Sequence, residues 1–305
     1  MRSILMMVLL SLGLNSAGAI GCDTRQSNPA QDAPQTGNKS LPATPTPQRE
    51  VKEDANGGLK VLAEGWQSGV EDAFVAVARD AETYSRLREL VGQLPEMSAD
   101  DFRTNVVIAA FLGNRNTGGY TVEIARVGDG VIRLAESRPP KDAIVTQSLT
   151  TPFKVVSMPV TGEQPLALEM EGEWKTMTRP FRVSSGNFTV TGGIIGSTEE
   201  FRLEGEIGMM RHGKLATFVF DLKAASETKQ RALKDVATGV AQPDGGIKIT
   251  RMTAGALLSP PRGALRADGK LDGGESNLTL SFESLPSNVS DGYQGRGRME
   301  ATGSK

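Results

Sequence analysis

Hydrophobic and polar positions divide the chain into stretches of distinct rhythm. Residues 4–14 are a short apolar run behind Arg2. Beyond it apolar residues thin out, and Pro29, Pro34, Pro42, Pro45 and Pro47 fall among Gln, Asn, Ser, Thr and Gly. Such a stretch buries too little apolar surface to offset the entropy of ordering, so 22–58 reads as a disordered, Pro-rich tether. As a flexible coil of about 35 residues it has an r.m.s. span of roughly 30–35 Å. From Leu59 the rhythm is that of a folded domain. Residues 59–63 and 73–77 are strand-like. Asp80 offers an N-cap, and Tyr84, Leu87, Val91 and Leu94 at helical spacing predict an amphipathic helix over 81–92, ended by Pro95. Residues 105–112 are continuously apolar, the pattern of a strand buried on both faces. Residues 120–127 alternate, Gly128-Asp129-Gly130 turns the chain, and 131–134 return as the partner strand. Ile144-Val145 and 153–158 predict two more short strands.

The second half carries a different rhythm. Short alternating runs at 181–183, 188–190, 201–207, 216–222, 247–249 and 278–282 are separated by Gly192-Gly193, Gly245-Gly246 and Gly273-Gly274. Many short strands with glycine turns predict a sandwich or barrel. Residues 224–236 read as a polar helix. The expected fold is therefore mainly β. An α+β domain over 59–160, one helix on a sheet, precedes an all-β domain over 165–305, with the boundary at the composition change near Pro165.

Composition changes this picture at the N-terminus. Cys22 is the only cysteine of the 305 residues and follows the apolar run directly. The run is shorter than the roughly 20 residues a membrane span needs, so 1–21 reads as a secretory signal with a small-residue cleavage site. Ala19-Ile20-Gly21-Cys22 resembles the lipobox of bacterial lipoproteins, with Ala19 where leucine is usual. The resemblance implies that Cys22 is acylated and becomes the new N-terminus. Stable anchoring takes two or more chains, and a triacylated cysteine supplies them. The expected location is the bacterial cell envelope. Asp23 marks inner-membrane retention in some lineages only, so inner and outer membrane both stay open.

Charge and residue counts narrow the chemistry. Removing 1–21 takes away only Arg2 among charged side chains and leaves three more acidic than basic residues. No basic stripe points to nucleic acid. His212 is the only histidine and sits in a polar turn over 210–214, where it reads as exposed. With Cys22 lipidated, a Cys-His dyad and zinc sites built on several His or Cys ligands fall away. Neither Gly-x-Ser-x-Gly nor a P-loop occurs. The expectation is a protein that is not an enzyme, with no catalytic residues, cofactor or metal.

One segment is more specific. Residues 111–124 run from an apolar strand ending in Gly113, through Asn114-Arg115-Asn116, to Thr117-Gly118-Gly119-Tyr120 opening a second strand. With Asp101-Phe102 upstream, and Pro139-Pro140, 144–147, 149–153 and Val155-Val156 downstream, this resembles the PrcB-like protease-complex subunits. The resemblance covers about 59–160. It implies a non-enzymatic lipoprotein that helps to assemble or stabilise a protease complex, with no catalytic residues to transfer. On physical grounds a Gly-Gly pair between strands signals a hairpin turn. Thr117, Gly118, Gly119 and Tyr120 are the candidate partner-binding residues, with Tyr120 as an aromatic anchor. The alternative is that the glycines only make the turn and Tyr120 packs on the sheet.

The expected partners are the bilayer, through acylated Cys22, and an exported protease or other envelope protein. A rival expectation is a membrane-tethered barrel or sandwich that binds a lipid or isoprenoid, with Phe188, Phe201, Phe218, Phe220 and Phe282 lining it. In the simpler reading those phenylalanines are an ordinary core.

Overall fold

A computed structural model describes residues 58–161, 164–192, 197–253, 263–272, 275–285 and 294–303. The signal, Cys22 and the tether through residue 57 lie outside the described residues. In chain order the first region contains β1 (Lys60–Gly65), β2 (Phe74–Ala78), α1 (Ala81–Val91), β3 (Asn105–Phe111), β4 (Thr121–Gly128), β5 (Val131–Ser137), β6 (Phe153–Pro159), β7 (Ala167–Met170) and α2 (Glu173–Met177). Then follow β8 (Arg179–Gly192), β9 (Ser197–His212), β10 (Leu215–Ala225), β11 (Gln230–Ala241), β12 (Gly246–Thr253), β13 (Ala264–Asp272), β14 (Asn277–Ser284) and β15 (Gln294–Gly303).

The first region builds two small sheets, ordered β1-β6-β3-β2 and β4-β5-β7, over one core. β3 lies inside its sheet and Val106 to Phe111 are all buried, as its unbroken apolar run predicts. α1 starts where Asp80 caps it, the carboxylate accepting from Thr83 N at 2.8 Å. It stops at Gly92, whose φ of 76° is the left-handed conformation that glycine takes most readily. Tyr84 and Leu87 bury its inner face, and the Tyr84 hydroxyl donates to Pro95 O at 2.7 Å.

The second region is a closed barrel of eight strands, β8 to β15. Alternation decides its two surfaces. Phe181, Phe188, Phe201, Phe218, Phe220 and Phe282 are buried in one apolar cluster. Phe220 lies 6.2 Å from Phe218 and 6.4 Å from Phe282, ring centre to ring centre. The intervening positions carry paired charges: Arg182 with Glu206, Arg266 with Glu283, Arg298 with Glu300. Barrels that span membranes carry an outward apolar band, which this wall lacks at those strands.

Several expectations change. Residues 224–236 are not a helix: they are the end of β10, a turn and the start of β11. The physical reason is that this run of Ala, Glu, Lys, Gln, Arg and Leu favours a helix, and cross-strand pairing with β10 overrides that preference. From Asp235 onward β11 is buried on both faces. Leu233 and Ala237 face the barrel core, while Val236 and Val240 belong to the core shared with the first region. Gly118-Gly119 does not close a hairpin, because β3 and β4 lie in different sheets. Ile144-Val145 is not a strand, and Ile144 is fully exposed. His212 is at the end of β9, half-buried, with its ring 5.9 Å from that of Phe74.

Barrel and sheets share a core. Met210, Leu215, Val236 and Val240, on the outer barrel wall, join the cluster built by β2, β3 and β6. β2 is an edge strand, so its outward N–H and C=O groups need partners. The barrel supplies two hydroxyls. Thr217 Oγ1 donates to Val75 O at 2.6 Å, and Val77 N donates to Thr238 Oγ1 at 2.8 Å. These two threonines face each other across β10 and β11, with their hydroxyls 2.8 Å apart. Because Thr217 gives its proton to Val75 O, Thr238 is the donor between them.

A second polar contact lies where β11 parts from β12, which pair only at Val240–Lys248 and Ala241–Ile247. Asp235 is fully buried there, and each carboxylate oxygen accepts twice. Arg79 Nη2 and Leu166 N reach Oδ1, both at 3.0 Å; Thr253 N and Oγ1 reach Oδ2 at 2.9 and 3.0 Å. Four charge-assisted bonds satisfy the carboxylate.

Candidate functional site: the 113–120 loop and its rim

The loop between β3 and β4 is built around one arginine. Gly113 lets the chain leave β3 with φ 77°, and a Cβ there would stand 2.6 Å from Glu71 O. Arg115 then pairs with Thr150 through two backbone bonds of 2.8 Å. Its side chain is nearly buried. It reaches Glu136 Oε2 at 2.7 Å and Glu173 Oε2 at 3.0 Å. Burial opposes the charge, but Glu136 and Glu173 outweigh it and hold the Arg115 pKa above its usual value. Trp174 fixes the helix that carries Glu173, since its indole N–H donates to Phe111 O at 2.8 Å.

The predicted residues come next along this frame. Thr117 is half-buried, and its carbonyl accepts from Thr150 Oγ1 at 3.0 Å. Gly118 is buried and donates to Thr146 O at 2.9 Å. A Cβ on it would stand 2.4 Å from Thr146 Oγ1. Gly119 is exposed with φ 86°. Tyr120 is half-buried, packs on the sheet core, and lies under the Arg115 guanidinium at 5.7 Å. The sequence reading brought these four together and missed Arg115, Glu136 and Glu173. Their only local signal was an arginine inside an otherwise uncharged loop.

The same rim extends to the end of β1. Thr151 N donates to Trp66 O at 2.8 Å, and Gln67 Nε2 to Leu149 O at 3.1 Å. Among the described residues no three His, Cys, Asp or Glu side chains gather as a metal-ligand group.

Residues 106–159 match the model of a known family, PrcB C-terminal. This stretch is similar to that family. The match begins and ends on neighbouring rungs, with Val106 opposite Met158, and spans β3, the Arg115 loop, β4, β5, the rim and β6. The barrel, α1 and the edge strands β1 and β2 lie beyond the matched residues. No curated protein matches the chain.

Proposed function

We propose that this protein is a non-enzymatic lipoprotein, anchored in the bacterial envelope through acylated Cys22, that binds and stabilises an exported protease complex or another envelope protein. The observation that carries the reading is the match over 106–159. That segment contains the whole loop in which Arg115, held by two carboxylates, backs the ring of Tyr120. A fixed, half-buried tyrosine costs little entropy on docking and is a common interface anchor. Thr117, Gly118, Gly119 and Tyr120 are the contact residues in this reading.

The test is Tyr120→Ala in the full chain. The partner's steady-state level should fall while the thermal midpoint of this protein holds. An unchanged partner level with the same midpoint rejects the loop as the contact. Cys22→Ser should release the chain from membranes; retention in the membrane fraction would reject the anchor.

A closed barrel also fits a carrier of a lipid or isoprenoid. The packing of Phe218, Phe220 and Phe282 against one another weakens this second reading. Native mass spectrometry of the detergent-free Cys22→Ser chain decides it: a bare mass rejects the carrier.

A further inference from the structure

Exposed apolar side chains are informative when they gather. Of five large ones exposed among the described residues, three lie on the rim of the Arg115 loop: Trp66 at 72 %, Ile144 at 104 % and Leu149 at 58 %. Hydrogen bonds join their loops into one frame. Ser68 N and Gly69 N donate to Thr151 Oγ1 at 2.8 and 3.0 Å, and Ser68 Oγ donates to Thr151 O at 2.9 Å. Thr150 continues the frame to Arg115 and Thr117, and Thr146 continues it to Gly118.

We infer that Trp66, Leu149 and Ile144 form, with Tyr120, one preorganised docking surface for a folded protein that offers the Trp66 indole an uncharged pocket. The inference rests on the reading of Tyr120 as a partner anchor. Two observations favour a protein over a bilayer. The bonded frame fixes the spacing of the anchors, which lowers the entropy lost on docking to a surface of fixed shape. A fluid bilayer gains nothing from fixed spacing. Nearby charges are also mixed rather than basic: Lys141 adjoins Asp142, and Arg138 pairs with Glu136 at 2.7 Å. Anionic membranes select basic clusters. Tryptophan is among the residues most enriched at interface hot spots.

The test is photo-crosslinking in native membranes of the full chain, with benzoylphenylalanine replacing Trp66, Leu149 or Tyr120 in turn. Val127→benzoylphenylalanine is the control. It is exposed too, but near the far end of β4, roughly 20 Å from Tyr120. The expected result is one and the same protein adduct at 66, 149 and 120, and none at 127. Trp66→Ala should weaken the adduct formed at position 120 by about tenfold or more, at an unchanged thermal midpoint, and Trp66→Phe should restore part of it. Adducts at 66 and 149 with lipid only, with a second copy of this chain, or with nothing overturn the inference. If position 120 alone captures a protein, the Trp66 surface fails and the loop reading stands. If 66 and 149 share an adduct that 120 lacks, the loop reading fails, and with it a surface that includes Tyr120.

Discussion

The barrel wall that meets the four-stranded sheet and the wall that meets water use polar side chains in opposite ways. Toward the sheet the polar groups are few, buried and saturated: Thr217, Thr238 and Asp235 each complete bonds that backbone groups or Arg79 need. Toward water they are many, charged and paired, across neighbouring strands for Arg182–Glu206 and Arg266–Glu283 and along β15 for Arg298–Glu300. Alternation turns Thr217 and Thr238 outward with Val236, while Asp235, opposite Phe220, has the inward parity and meets Arg79 where β11 parts from β12. The pattern within a strand does not say which wall matters. The partner does. A polar group lost from the docked wall leaves another group stranded without water, whereas one lost from the wet wall is replaced by solvent.

The strongest way to break this comparison is Asp235→Ala. It leaves Arg79 as an uncompensated buried charge and removes the acceptor of Leu166 N and Thr253 N. Removing one partner of a buried pair costs about 3–5 kcal/mol, a large part of the 5–15 kcal/mol that typically holds a domain together. Denaturant titration should show a much lower midpoint. A loss below about 1 kcal/mol, the value of an exposed pair, would mean that water reaches Asp235 and that the two walls are alike.

Next comes the threonine pair. Thr217→Val keeps the side-chain shape but leaves Val75 O without a proton, at a cost of about 1–3 kcal/mol. Thr238→Val strands Val77 N at a similar cost. Because Thr238 donates to Thr217, the double variant should lose less than the sum of the single ones. Additive losses would contradict that proton arrangement.

These contacts also mark where the sequence stops being legible. β3, β4, β5, β6 and α1 were readable because their signals are local: an unbroken apolar run, alternation, a cap and a stop. A β-rich second half followed from strand rhythm, with sandwich and barrel left open. The start of β11 was misread because its residues favour a helix and only pairing with β10 makes them a strand. From Asp235 onward two different cores bury both faces. Arg79 with Asp235, and Val75 with Thr217, lie far apart in sequence, and nothing near either member announces the other. The rim was half legible. The Gly118-Gly119 motif pointed to it, but the glycines serve close packing against Thr146 and Pro139 rather than a hairpin.

A smaller effect tests the docked side by pH. Asp80 caps α1, and burial raises its pKa above 3.8, outweighing the bonds from Thr83 that lower it. A raised carboxylate pKa means that the folded state binds the proton more tightly than the unfolded chain. Stability is therefore lost as pH rises from the unfolded value through the folded one, and is steady above it. Asn caps as well as Asp and carries no charge to desolvate. Asp80→Asn should match the parent in acid and exceed it slightly at neutral pH in paired urea titrations. A parent protein that gains on Asp80→Asn as pH rises would reverse the sign and remove desolvation as the dominant cause.

The smallest effect belongs to an exposed end of the barrel, whose ion pairs are as wet as those of the outer wall, and its sign should depend on salt. Glu275, in the turn before β14, has φ 68°, a conformation that costs a non-glycine residue about 1–2 kcal/mol. Its carboxylate bridges Arg179 at 3.4 Å and Arg211 at 2.6 Å, on β8 and β9, and all three side chains are partly exposed. Exposed pairs contribute about 0–1 kcal/mol each and weaken as salt screens them. Glu275→Gly relieves the backbone and gives up both pairs, so the two terms nearly cancel at low ionic strength. At about 1 M salt, where the screening length is about 3 Å, only the backbone term is left and the variant should become the more stable protein. An Arg79→Ala chain offers the contrast, since its loss lies inside the core and should change little with salt. If Glu275→Gly were destabilising at every salt concentration by as much as Arg79→Ala, solvent-exposed ion pairs would hold the barrel as firmly as buried ones, and the distinction between wet and docked surfaces would fail.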